Sequence, residues 1–78
     1  MKKRERKLVV AFHTTADAMA MEKACKIHKS KGRLIPVPRE ISAGCGIAWS
    51  APLEETEQVH KILELETIEP EQVVELEL

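Results

Sequence analysis

The sequence predicts an α+β fold, a four-stranded antiparallel sheet with two helices on one face, and three observations carry the prediction. Strand-like and helix-like patterns follow one another in the order β-α-β-β-α-β over 78 residues. Pro36 and Pro38, two residues apart, mark an edge strand. The last six residues, Val73 to Leu78, read as a half-buried strand, with apolar and acidic side chains alternating from Val74.

Leu8-Val9-Val10-Ala11-Phe12 is a short β-branched run and reads as a buried first strand. Thr14 followed by Asp17 resembles a capping box. A helix is expected from about Thr15 to Lys31, with Ala16, Ala20, Ala24 and Ile27 on one stripe and Met21, Cys25 and His28 beside it. Lys29 and Lys31 suit the C-terminal end of that helix, and Gly32 supplies its stop. Arg33 to Pro38 is the second strand. Its two prolines both lack an N–H on the same side, which must be an unpaired edge. A turn through Ser42-Ala43-Gly44 leads to a third strand, Ile47 to Ser50. Pro52 or Thr56 opens the second helix, with Glu54, Glu55 and Glu57 at its positive end and Val59, Ile62 and Leu63 on its apolar stripe.

This order is the ferredoxin-like split βαβ arrangement. Right-handed crossovers place strand 1 between strands 3 and 4 and leave strand 2 on an edge, in agreement with the prolines. The start of strand 1 then lies beside the end of strand 4. Lys3, Arg4, Arg6 and Lys7 would face Glu75 and Glu77, pairs worth about 0.2–1 kcal/mol each that select register more than they stabilise. The outer sheet face would carry Val9, Ala11, Ala48 and Val73.

The chain is expected to be a single domain, 1–78, with a basic N-terminal extension at 1–7. Its formal net charge of −1 hides an asymmetry: residues 1–39 hold eleven Lys/Arg and three acids, residues 40–78 one Lys and ten acids. Internal or intersubunit pairing explains both halves. Nucleic acid is not an expected partner, because one Phe, one Trp and no Tyr leave little to stack on bases. The apolar run after the basic start is too short for a signal peptide or a membrane span. A reducing cytoplasm with both cysteines as free thiols is expected.

Chemistry points to Gly44-Cys45-Gly46. Flanking glycines strip away steric cover and permit turn dihedrals closed to other residues, so the thiol of Cys45 can be presented at the surface. The predicted topology brings the end of strand 1, the start of helix 1 and the strand 2–3 turn to one end of the sheet. His13 and Thr14 should therefore neighbour Cys45. A helix N-terminus and an imidazolium both lower a nearby thiol's pKa, the environment of a nucleophile or persulfide carrier; Asp17 opposes them. Cys25, roughly 13 Å along the helix, reads as a core residue that cannot reach Cys45. Met19 and Met21 read as packing residues and Trp49 as core. A zinc site from Cys45, His13 and an acid lacks ligand spacing, so no metal and no cofactor is expected.

At these residues the chain resembles the small bacterial and archaeal Se/S carrier protein-like family. The resemblance rests on Phe12-His13-Thr14-Thr15, the Ala/Met/Glu-rich helix after it, and Leu34 through Ala48, including Pro36-Val37-Pro38-Arg39 and Gly44-Cys45-Gly46. It covers roughly residues 8–65. It implies transfer of sulfur or selenium as a cysteine-bound persulfide or selenopersulfide, falling on Cys45, between donor and acceptor proteins. The chain differs from TusA-like carriers, whose cysteine begins a Cys-Pro-x-Pro helix start. In the expected site Cys45 and His13 do the chemistry. Thr14, Thr15, Gly44 and Gly46 frame the thiol, and Arg39 docks a partner or an anionic selenium species. Such a protein is a carrier more than a stand-alone enzyme, and a homodimer is compatible with it. The alternative is a ferredoxin-like interaction or ligand-sensing module in which Gly44-Cys45-Gly46 is only a tight turn.

Overall fold

The computed structural model of the protein describes residues 5–41 and 44–78. In chain order these form β1 (Arg6–Phe12), α1 (Thr15–Ile27), β2 (Arg33–Pro36), β3 (Ile47–Pro52), a single 3-10 turn (Leu53–Glu55), α2 (Thr56–Leu65) and β4 (Pro70–Glu77). The sheet order is β2-β3-β1-β4, and every neighbouring pair is antiparallel. This is the ferredoxin-like α+β fold, with β2 on the edge where its prolines require it. Val37, between those prolines, donates its amide inward to the Gly46 carbonyl at 3.1 Å.

One face of the sheet builds the core. Leu8, Val10 and Phe12 of β1 and Trp49 and Ala51 of β3 meet Ala18, Met21, Ala24 and Cys25 of α1 and Val59, Ile62 and Leu63 of α2. Burial of each large apolar side chain contributes about 1.5–3 kcal/mol, which is what holds a domain this small together. Val9, Ala11 and Ala48 lie on the opposite face, as expected. Val73 does not: it pairs with Val10 and packs against the helix-side core, while Val74 pairs with Val9 on the outer face.

The buried side of α1 is rotated from the expected stripe. Ala16, Ala20 and Ile27 are exposed, and so is Met19. Small or apolar residues lie on all sides of this helix, so spacing alone did not identify the side that packs. The helix also ends earlier, at Ile27 and not at Lys31, so Gly32 is not its stop. Lys29 takes the left-handed conformation (φ 56), with Ser30 N donating to Cys25 O at 2.8 Å and Lys29 N to Lys26 O at 3.2 Å. That pattern is a Schellman motif. The second helix ends the same way: Thr67 has φ 56, Ile68 N donates to Leu63 O at 2.9 Å and Thr67 N to Glu64 O at 3.3 Å.

A β-branched residue in the left-handed region is strained by about 1–2 kcal/mol relative to glycine. Thr67→Gly should therefore raise the unfolding free energy by roughly 1 kcal/mol, after the extra unfolded-state entropy of glycine is subtracted. Urea denaturation measures it, and an unchanged or lower midpoint would count against the assignment of strain.

The charged ends of β1 and β4 meet as expected in part. Arg6 Nη1 lies 3.8 Å from Glu75 Oε1, whereas Lys7 Nζ turns to Glu5 at 3.1 Å. Lys3 and Arg4 lie outside the described residues. No described helix is long and apolar enough to cross a membrane.

Candidate functional site

The site forms where the β1–β3 ladder runs out. Its last pair is Ala11↔Ala48. One residue further on, the Phe12 carbonyl lies 3.2 Å from Cys45 Sγ, and the Ile47 carbonyl is also 3.2 Å from that sulfur. A thiol has one proton, so it donates to one of these oxygens at a time. Cys45 is half-buried and packs against the edge of the core.

Its two glycines serve different ends. Gly46 has φ +74, which an L side chain adopts only with strain, so the backbone can reverse directly after the cysteine. Gly44 sits against the backbone of His13: a Cβ there would lie 3.3 Å from the His13 carbonyl oxygen. The loop is thereby laid on the β1–α1 junction. Of the expected turn only Gly44 is described; Ser42 and Ala43 lie outside the described residues.

A residue that the sequence did not point to joins this junction. β4 pairs Gln72 with Ala11 and Pro70 with Phe12, so Glu71 is the extra residue of a β-bulge. Bulges re-aim side chains at strand ends. The Glu71 carboxylate lies 3.5 Å from His13 Nδ1 and accepts from the Gly44 amide at 3.3 Å. One carboxylate thus joins the imidazole to the Gly-Cys-Gly loop. With Nδ1 facing a carboxylate, His13 keeps Nε2 for other chemistry. Alternation, legible only from Val74 onward, gives no sign of a bulge; Pro70 as a strand-opening residue was the one signal available.

The other expected site residues are placed differently. Thr14 caps α1, its Oγ1 accepting from Asp17 N at 3.1 Å, so its hydroxyl is engaged with its own helix. Thr15 opens α1 and is exposed. Arg39 is exposed in the turn closed by Ile41 N to Pro38 O at 3.2 Å, and makes no ion pair among the described residues. Among the described residues no three His, Cys, Asp or Glu side chains gather as a metal-ligand set.

The second thiol is a contrast. Cys25 is fully buried, and burial pushes its pKa up to about 11, the nearby Glu55 carboxylate adding to the rise and a hydrogen bond with Ser30 opposing it. Ser30 Oγ in turn donates to Glu55 Oε1 at 2.9 Å. A thiol so placed stays protonated at neutral pH and is inert.

Comparison with known proteins gives one family. Searches of curated proteins and of solved structures return no match. A family model described as "Putative Se/S carrier protein-like" matches residues 7–75, which takes in all four strands and both helices but for the outermost residues of β1 and β4. The chain belongs to that Se/S carrier protein-like family.

Proposed function

We propose that the protein carries a sulfane sulfur or selenium atom on Cys45 between a donor and an acceptor protein in the reducing cytoplasm. The observation that carries the reading is the placement of the two thiols. Cys45 stands half-exposed between two glycines at a junction shared with His13 and Glu71, while Cys25 is sealed in the core. Family membership supplies the cargo class.

In the proposed step His13 takes the thiol proton at Nε2, with Glu71 holding the ring through Nδ1. The Cys45 thiolate attacks the outer sulfur of a donor persulfide, R–S–S⁻. A bond forms between Cys45 Sγ and that sulfur, the donor's S–S bond breaks, and R–S⁻ leaves. The sulfane atom moves with no net oxidation or reduction, and attack by an acceptor thiolate on Cys45–S–S⁻ reverses the process. A selenium atom on a donor thiolate follows the same balance. Thr15, Gly44 and Gly46 leave the approach to sulfur open, the α1 amides behind Thr14 offer a positive potential to the anion, and Arg39 supplies a cation for docking.

Intact-mass analysis after incubation with a sulfane-sulfur donor tests this. Wild type and Cys25→Ser should each gain one sulfur atom, and Cys45→Ser none. Equal uptake by Cys45→Ser would end the carrier reading.

One observation favours a second reading. The Cys45 thiol lies within donating distance of the Phe12 and Ile47 carbonyls and donates to one or the other, as a purely structural cysteine pinning a turn would do. In that case the protein is an interaction or ligand-sensing module, and no form of it takes up sulfur.

A further inference from the structure

We propose that the helical layer binds a second copy of this chain, with α1 of each copy lying over α2 of the other. The surface is independent of what Cys45 carries.

The outward side of α1, opposite its buried residues, exposes Met19 by 59% and Ile27 by 67%, and its exposed charges are Lys23 and Lys26. α2 exposes Leu65 by 62%, and its exposed charged residues are Glu57, Glu64 and a single cation, Lys61. Beyond the helix ends Lys29 and Lys31 extend the basic side, and Glu54 and Glu66 the acidic side. None of these four lysines has an ion-pair partner among the described residues, and neither do Glu57 and Glu64. Among the described residues, the exposed charges of the two helices are therefore left without partners in the chain.

A two-fold axis running between the helices sets the exposed lysines of α1 on the exposed glutamates of α2 twice over, with apolar side chains between them, although Asp17 and Glu22 of α1 are half-buried acids on the same helix. The perpendicular two-fold would stack α1 on α1 and bring lysine to lysine. Charge selects the first. The outer sheet face is the competing surface: Val9, Ala11 and Ala48 are buried there and Ile35, Val74 and Leu76 only half-buried, but it lacks the paired basic and acidic rows that the helical layer offers. α1, with 13 residues, is about 20 Å long. Two such helices side by side give a small footprint, typical of weak and reversible association.

Sedimentation analysis of the full chain up to millimolar concentration should show a monomer–dimer equilibrium that weakens with added salt. Lys23→Glu with Lys26→Glu should raise the dimer Kd at least about tenfold, as should Glu57→Lys with Glu64→Lys. An equimolar mixture of the two double variants should associate again, because both contacts are then attractive. Recovery on mixing also shows that each variant is folded. A monomer at all concentrations overturns the proposal. So does a dimer indifferent to these charge reversals but broken by Ile35→Lys on the sheet face, and so does failure of the mixture to recover.

Discussion

Gly32→Ala should be the most damaging small substitution in the protein. A Cβ at position 32 would lie 2.6 Å from Cε2 and Nε1 of Trp49, and Gly32 has φ +153, a conformation that L side chains rarely adopt. The indole cannot retreat, because Trp49 is buried between the sheet and the helices. Overpacking costs about 1–3 kcal/mol and the backbone strain about 1–3 more. At 0.05–0.15 kcal/mol per residue a domain of this size has roughly 4–12 kcal/mol in all. A loss of about 3 kcal/mol should thus lower the melting temperature by on the order of 15 °C. Thermal unfolding followed by Trp49 fluorescence measures it, and a shift of under a few degrees would refute the clash. Trp49 Nε1 is itself buried with no hydrogen-bond partner among the described residues, so this corner of the core already tolerates one unsatisfied donor.

Alkaline pH should destabilise the protein through Cys25. The thiol titrates near 9.0 in the unfolded chain and at about 11 in the folded one. Between those values the unfolded chain has released a proton that the folded chain keeps, so stability falls as pH rises. Below pH 9 both states hold the proton and the contribution is intact. The displacement corresponds to about 3 kcal/mol, lost between pH 9 and 11. Chemical denaturation of wild type against Cys25→Ala across that range isolates the effect, since lysine titration is common to both. Parallel slopes would show that the buried thiol is not the source.

Much of this fold was legible because a few residues permit only one placement. Pro36 and Pro38 allow only an edge strand, and once β2 is an edge the strand order follows. Gly44-Cys45-Gly46 marked the loop, and the topology brought it to Phe12 and His13. The missed features are those in which neighbours or register decide. α1 carries alanine or methionine on every side, so its packing side was set by α2 and the sheet. Its end is a lysine in a glycine's conformation, which no composition rule flags. Val73 pairs with Val10 and Val74 with Val9, so cross-strand register fixes their faces, and a register one residue off exchanges them. The Glu71 bulge, before Val73 in the chain, placed the carboxylate that joins His13 to Gly44, and no alternation announces it.

The edges of the sheet bear on how the protein avoids its own aggregation. An open antiparallel sheet presents two rows of unpaired backbone groups, each a template for a further strand. On β2 the template is interrupted because Pro36, its last residue, has no amide to offer, and neither has Pro38 just beyond the strand. On β4 it is guarded by charge, with Glu71, Glu75 and Glu77 along eight residues repelling any like strand that approaches. Lateral growth is closed at one edge by missing donors and at the other by carboxylates, which leaves the two faces as the surfaces through which copies of this chain can meet.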